Sequence, residues 1–211
     1  MVFWMSLAII YLFTKIYFRA TSVDRHLFPR KGPAITVVNH NSNMDVFAMS
    51  LVVRTPVHAM AKDTLFKVPI LKSWLRAVGG FPVVRNASDT QAFDTALSIL
   101  QNGGILFLAP EGTRKKINGQ NPRPKTGFVR LAQLTGCPIV PVAIYGTDRV
   151  LPPNAWFPKP VKIAVKVGAP ILLEKTEVTI ENKDKLQKQA DEVMEIIYGM
   201  QQELRTQYEK K

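Results

Sequence analysis

The sequence predicts an α/β fold, a largely parallel sheet flanked by helices, with a membrane-associated helix at the N-terminus. Two observations carry the sheet. Short apolar, β-branched runs such as Ala34-Ile35-Thr36-Val37-Val38 and Ile105-Leu106-Phe107-Leu108 have the look of strands buried on both faces. Between them lie longer stretches with helical periodicity, and strand–helix alternation of this kind builds parallel sheets. A third observation, an uncharged segment at the start of the chain, suggests the membrane helix.

Met1 to Thr14 contains no charged residue, and Lys15 and Arg19 follow. The run is shorter than the ~20 apolar residues needed to span a bilayer. A signal peptide would carry positive charge before its apolar run and a small-residue cleavage site after it, and both are missing. Residues 1–20 are therefore expected to form an anchor embedded in one leaflet. Trp4, Tyr11 and Tyr17 would sit at the interface, with Lys15 and Arg19 at the headgroups. A buried core helix is the competing reading.

The α/β domain proper is expected over 21–173. Its strands are read at 34–39, 57–61, 81–84, 104–109, 139–144 and 161–167. Its helices are read at 44–53, 69–78, 88–101 and 126–135. Ser88 or Asp89 can cap the 88–101 helix, and Asn102-Gly103-Gly104 stops it. Residues 174–211 form a C-terminal amphipathic helix, centred on 184–208. Leu186, Ala190, Val193, Ile197, Met200 and Leu204 give it an apolar stripe to pack on the domain.

Charge narrows the partners. The net charge is +12, but residues 1–173 hold 21 basic and 7 acidic side chains, while residues 174–211 hold 7 and 9. The positive field of the body suits anionic lipid, an acidic protein or nucleic acid. No zinc finger or aromatic-laced basic stripe is present, so nucleic acid is not expected. Cys137 is the sole cysteine and cannot form an internal disulfide. No Cys/His cluster offers a metal site, and neither metal nor cofactor is expected.

Two motifs carry chemistry. In Asn39-His40-Asn41-Ser42-Asn43-Met44-Asp45 a histidine precedes a carboxylate by five positions. Such a pair deprotonates a hydroxyl at neutral pH. The same spacing recurs at His58 and Asp63, so context must decide. His40 falls at a turn between a strand and a helix, where α/β folds place ligands, and Asp45 falls in the first helical turn. His58 falls inside a strand. The second motif, Pro110-Glu111-Gly112-Thr113-Arg114, follows the 105–108 strand and offers a guanidinium to a phosphate. Together they suit acyl transfer onto a phosphate-bearing alcohol.

Asn39-His40-x4-Asp45, Gly80-Phe81-Pro82-Val83-Val84-Arg85, Pro110-Glu111-Gly112-Thr113-Arg114 and Cys137-Pro138-Ile139-Val140-Pro141-Val142 occur in that order. They resemble the four blocks of the glycerolipid acyltransferases, in particular the 1-acylglycerol-3-phosphate (lysophosphatidic acid) acyltransferase branch. Ala61-Lys62-Asp63-Thr64-Leu65 resembles a lysine-bearing segment of that branch. The likeness runs from about Gly32 to Gly168. One departure is Ala109-Pro110 where the third block usually opens with Phe.

The resemblance implies that His40 is the general base and Asp45 its orienting partner. It implies that Arg85 and Arg114, helped by Lys62, bind the acceptor phosphate. Glu111 would anchor its loop, and amides near Gly112 and Thr113 would shape the site or hold an oxyanion. The donor would be a thioester of acyl carrier protein or coenzyme A, so no covalent nucleophile is needed. Phosphatidic acid would be the product, and membrane phospholipids the surroundings. The protein would sit at the cytoplasmic face of the cell membrane. The same fold could instead acylate glycerol phosphate or another lysolipid. A non-catalytic basic protein that binds anionic membranes is a rival of another class, and the intact His40/Asp45 pair speaks against it.

Overall fold

The computed structural model describes residues 1–83, 90–112, 121–152 and 156–209. The strands are β1 (Thr21–Val23), β2 (Ala34–Val38), β3 (His58–Lys62), β4 (Gly80–Val83), β5 (Ile105–Leu108), β6 (Ile139–Tyr145) and β7 (Ala164–Val167). The helices are α1 (Val2–Tyr17), α2 (Asp45–Met49), α3 (Pro69–Ala77), α4 (Thr90–Gln101), α5 (Gly127–Thr135) and α6 (Lys183–Glu209). The strands form a single sheet in the order β1-β7-β6-β2-β5-β3-β4. Every pairing is parallel except β6 with β7.

Burial on both faces explains the unbroken apolar runs. Ile35 and Val37 of β2, with Ile139 and Ala143 of β6, point toward α4, α5 and α6. Their neighbours Ala34 and Val38, Val140 and Val142, point the other way, toward Phe18, Phe28, Ala48 and Leu51. The amphipathic stripe of α6 closes the first face, with Ala190, Val193, Ile197 and Leu204 at 1% exposure or less.

Helix α1 packs one face on the core and turns the other outward. Phe3, Leu7 and Tyr11 pack on the core, and Thr14 is buried with its hydroxyl donating to the Phe47 carbonyl at 3.4 Å. Trp4, Ile9, Leu12 and Ile16 face outward, 51–69% exposed. Tyr17 is pinned by its hydroxyl to the Pro158 carbonyl at 2.7 Å. Among the described residues, no helix is long and apolar enough to cross a membrane.

Three elements differ from expectation. β1 is an edge strand where no strand was read. α2 is shorter than 44–53, because after Met49 the chain tightens into turns with Ser50, Leu51 and Val52 bonding three residues back. The 161–167 strand begins only at Ala164 and runs antiparallel to β6.

Candidate active site

From β2 the chain builds one side of the sheet through β3, β4 and β5, and then fills the other, between β2 and the edge strand β1, with β6 and β7. His40 stands just past the end of β2, where the chain changes side. This is the position at which open α/β sheets bind ligands. The loops after β6, β2, β5 and β3 all leave the same edge, because these four strands are mutually parallel.

Local sequence fixes the turn after β2. The Asn39 side chain is fully buried and pairs with Ile144 of β6 like another strand residue. It donates to the Ile144 carbonyl at 2.9 Å and accepts from the Ile144 amide at 2.7 Å. Pinned there, the chain turns, and His40 emerges partly exposed. Its Nδ1 lies 2.8 Å from Asp45 Oδ2. The Asn41 and Ser42 amides donate to the same oxygen at 3.0 and 3.1 Å. On the far side, the Thr147 hydroxyl donates to Asp45 Oδ1 at 2.6 Å. Asp45 is 2% exposed and Thr147 wholly buried. A carboxylate only accepts, so Nδ1 is the donor of the pair, and Nε2 is the ring nitrogen left to face a substrate among the described residues.

Glu111 follows β5 and is buried beneath this turn, 6% exposed. Burial pushes its carboxyl pKa up, while hydrogen bonds from the Tyr198 hydroxyl, at 3.0 Å, and from the His40 backbone amide work against that shift. Burial and the facing Glu111 carboxylate push the Tyr198 phenol up in turn, so it serves as a donor. Glu111 thus ties α6 to the loop that carries the histidine.

The turn at Gly112 adopts a positive φ of 63°, and its N–H bonds back to the Ala109 carbonyl at 3.2 Å. Amides near Gly112 and Thr113 were expected to shape the site or hold an oxyanion. The Gly112 amide is instead consumed by the turn. Lys62 ends β3 on the site edge and is exposed. Thr113, Arg85 and Arg114 lie outside the described residues, as do the caps expected at Ser88 and Asp89. His58 opens β3 at the opposite end of the strand, and burial lowers its pKa. Among the described residues no group of His, Cys, Asp and Glu could hold a metal.

Sequence reasoning missed Thr147, Tyr198 and Lys125. The Lys125 side chain lies over Gly112, and a β-carbon there would sit 3.2 Å from its Cε. Lys125 also borders a cavity of about 190 Å³, whose wall is otherwise mostly apolar and includes Met60, Phe93, Leu108 and Phe128. The cavity opens beside Ala109 and Pro110, immediately before Glu111.

Residues 19–145 match the family model described as Acyltransferase. The chain belongs to the acyltransferase family. It is 29% identical over 168 residues to a 1-acyl-sn-glycerol-3-phosphate acyltransferase of Saccharomyces cerevisiae, covering 77% of this chain and 54% of that one. It is 28% identical over 157 residues to the enzyme of that name from Borreliella burgdorferi, covering 73% and 62%. A plastid enzyme from Brassica napus matches over 57% of this chain and 35% of its own length. The chain thus spans between a third and about three fifths of these curated relatives. The fold resembles the crystal structure of the 1-acyl-sn-glycerophosphate (LPA) acyltransferase PlsC from Thermotoga maritima. That likeness has a TM-score of 0.74 at 28% identity and covers 94% of this chain and 79% of that one. The acyltransferase match ends at Tyr145, so Thr147 and Tyr198 lie beyond it.

Proposed function

We propose that this acyltransferase moves a fatty acyl group from a thioester of acyl carrier protein or coenzyme A to the free hydroxyl of lysophosphatidic acid. The product is phosphatidic acid, a step of phospholipid synthesis. The observation that carries the reading is the His40–Asp45 pair at 2.8 Å, made through Nδ1, at the strand end where α/β folds bind ligands.

In this reading, Nε2 of His40 takes the proton of the acceptor hydroxyl as that oxygen attacks the thioester carbonyl. A tetrahedral oxyanion forms. Its collapse breaks the carbon–sulfur bond, and the departing thiolate takes the proton back from the imidazolium. Asp45 holds the ring in the required tautomer and offsets its charge. A thioester is already activated, so the buried Cys137 has no part in the chemistry. Lys62, Arg85 and Arg114 bind the acceptor phosphate, a guanidinium offering two parallel hydrogen bonds to its oxygens. The cavity beside Ala109 receives part of an acyl chain, in keeping with its mainly apolar wall.

The outward apolar residues of α1 rest the protein on a membrane at the cytoplasmic face. Trp156 and Phe157, 94% and 79% exposed, lie next to Pro158, which Tyr17 of α1 grips, and extend that surface. The positive body draws in anionic lipid and an acidic carrier protein.

A donor-by-acceptor matrix in liposomes, read by release of free thiol, tests the assignment. Turnover is expected with lysophosphatidic acid and to fall sharply with the dephosphorylated monoacylglycerol. Equal turnover on the two acceptors, or none on either, would contradict it.

A further inference from the structure

We propose that Thr147 is a positioning residue of the general base. Its hydroxyl sets the plane of the Asp45 carboxylate and, through it, the aim of His40 Nε2. The inference rests on reading the site as an acyltransferase.

The argument begins with how unevenly Asp45 is held. Three donors converge on Oδ2: the His40 ring at 2.8 Å and the Asn41 and Ser42 amides at 3.0 and 3.1 Å. Bonds to one oxygen leave a carboxylate able to rock about its Cβ–Cγ bond. The contact on Oδ1 is Thr147, at 2.6 Å, the length expected of a hydroxyl donating to a carboxylate. Two oxygens held from opposite sides define the plane, and the plane defines where the imidazole points. Both partners are buried, so water does not replace the bond. A general base must lie within hydrogen-bond reach of the proton it removes, so small errors of aim lower the rate.

The backbone is built to deliver this hydroxyl. Gly146, at φ +91°, turns the chain sharply after β6, and a β-carbon there would meet the Lys162 carbonyl at 2.3 Å. Thr147 then opens a short 3₁₀ turn over Thr147–Arg149, where its side chain reaches back across β6 to the loop after β2. A bond spanning 102 positions of sequence joins Asp45, the partner of the base, to a segment that the acyltransferase match does not include.

Four variants of the full chain in liposomes test the proposal, with an acyl-coenzyme A thioester and lysophosphatidic acid as probes and thiol release as readout. Thr147→Val keeps the shape and removes the hydroxyl. It is expected to lower kcat by about tenfold, part of the ~10²–10⁴ that a positioned base supplies, and to leave KM for both substrates unchanged. Thr147→Ser and Thr147→Ala both lose the methyl and differ only in the hydroxyl, so Ser should turn over near the wild-type rate and Ala should not. This pair decides the matter even if the valine variant does not fold. If Ser falls as far as Ala, or if Val keeps its kcat, or if the losses lie in KM alone, Thr147 has no positioning role. His40→Ala separates this failure from that of the underlying reading. A wild-type protein without turnover, or one that His40→Ala does not impair, overturns the acyltransferase site itself and the inference with it. Turnover that requires His40 but ignores Thr147 overturns the inference alone.

Discussion

A carboxyl buried as deeply as Glu111 holds its proton more tightly in the fold than in the unfolded chain. Between the ordinary value of 4.5 and its raised value, the folded state binds more protons than the unfolded one. Stability then falls as pH rises through that window, and above it the whole cost remains. Glu111→Gln keeps an oxygen for the Tyr198 hydroxyl and removes the ionisation. It is expected to melt higher than the wild type at pH 8, with the gap closing as pH drops below 4.5. A gap that widened on acidification would mean that the fold favours the ionised carboxylate. At the phosphate end, Arg114→Ala should raise KM for lysophosphatidic acid by ~10–150-fold, the worth of a charged hydrogen bond, and spare the thioester. Arg114→Lys should recover only part, since an ammonium lacks the planar fork. Equal losses toward both substrates in steady-state kinetics would remove the phosphate assignment. The His40–Asp45 pair was legible because its members are five residues apart and a strand-to-helix turn frames them. Thr147 and Tyr198 were not, because their partners lie 102 and 87 positions away and nothing local distinguishes either side chain.

At the scale of elements, the turn after β6 is the most exacting. Gly146→Ala forces a side chain into left-handed backbone and onto a carbonyl. Strain of this kind costs on the order of 1–3 kcal/mol. Urea unfolding should show a loss of that size, with a fall in activity because Thr147 moves with the turn. An unchanged midpoint would show that the segment after β6 relaxes freely. The central strands were readable because burial on both faces leaves a continuous apolar run. β1 was not, since Thr21-Ser22-Val23 is three residues long, mixed in polarity and paired with residues 143 positions further on, as Thr21 is with Ala164. The antiparallel β7 fits the short link that precedes it. Among the described residues of 146–163 there is no α-helix, and a parallel return would need a crossover. α2 stopped early because Ser50 bonds its hydroxyl to the Phe47 carbonyl at 2.6 Å, an alternative to helical continuation.

Over the whole molecule, one scaffold carries both the candidate site at His40 and the apolar outer face of α1. The α/β class and the order of the four blocks were readable from the chain. That α1 divides between a packed and an outward face was not, since uncharged residues face core and exterior alike and its periodicity carries little contrast. Ile9→Ser together with Ile16→Ser alters only outward side chains, 68% and 69% exposed. The pair should weaken flotation with anionic liposomes and leave the melting temperature nearly unchanged. Turnover on a short-chain, water-soluble acceptor should survive. A large drop in melting temperature would mean instead that this face is packed. The central claim, that His40 activates the acceptor hydroxyl, is tested most directly by the turnover number of His40→Ala against that of His58→Ala, in the same liposomes, with melting curves recorded for both. General-base assistance is worth ~10²–10⁴-fold, so His40→Ala should lose at least that range's lower bound while folding normally, and His58→Ala should keep its rate. Near-normal turnover in His40→Ala with loss in His58→Ala would contradict the account.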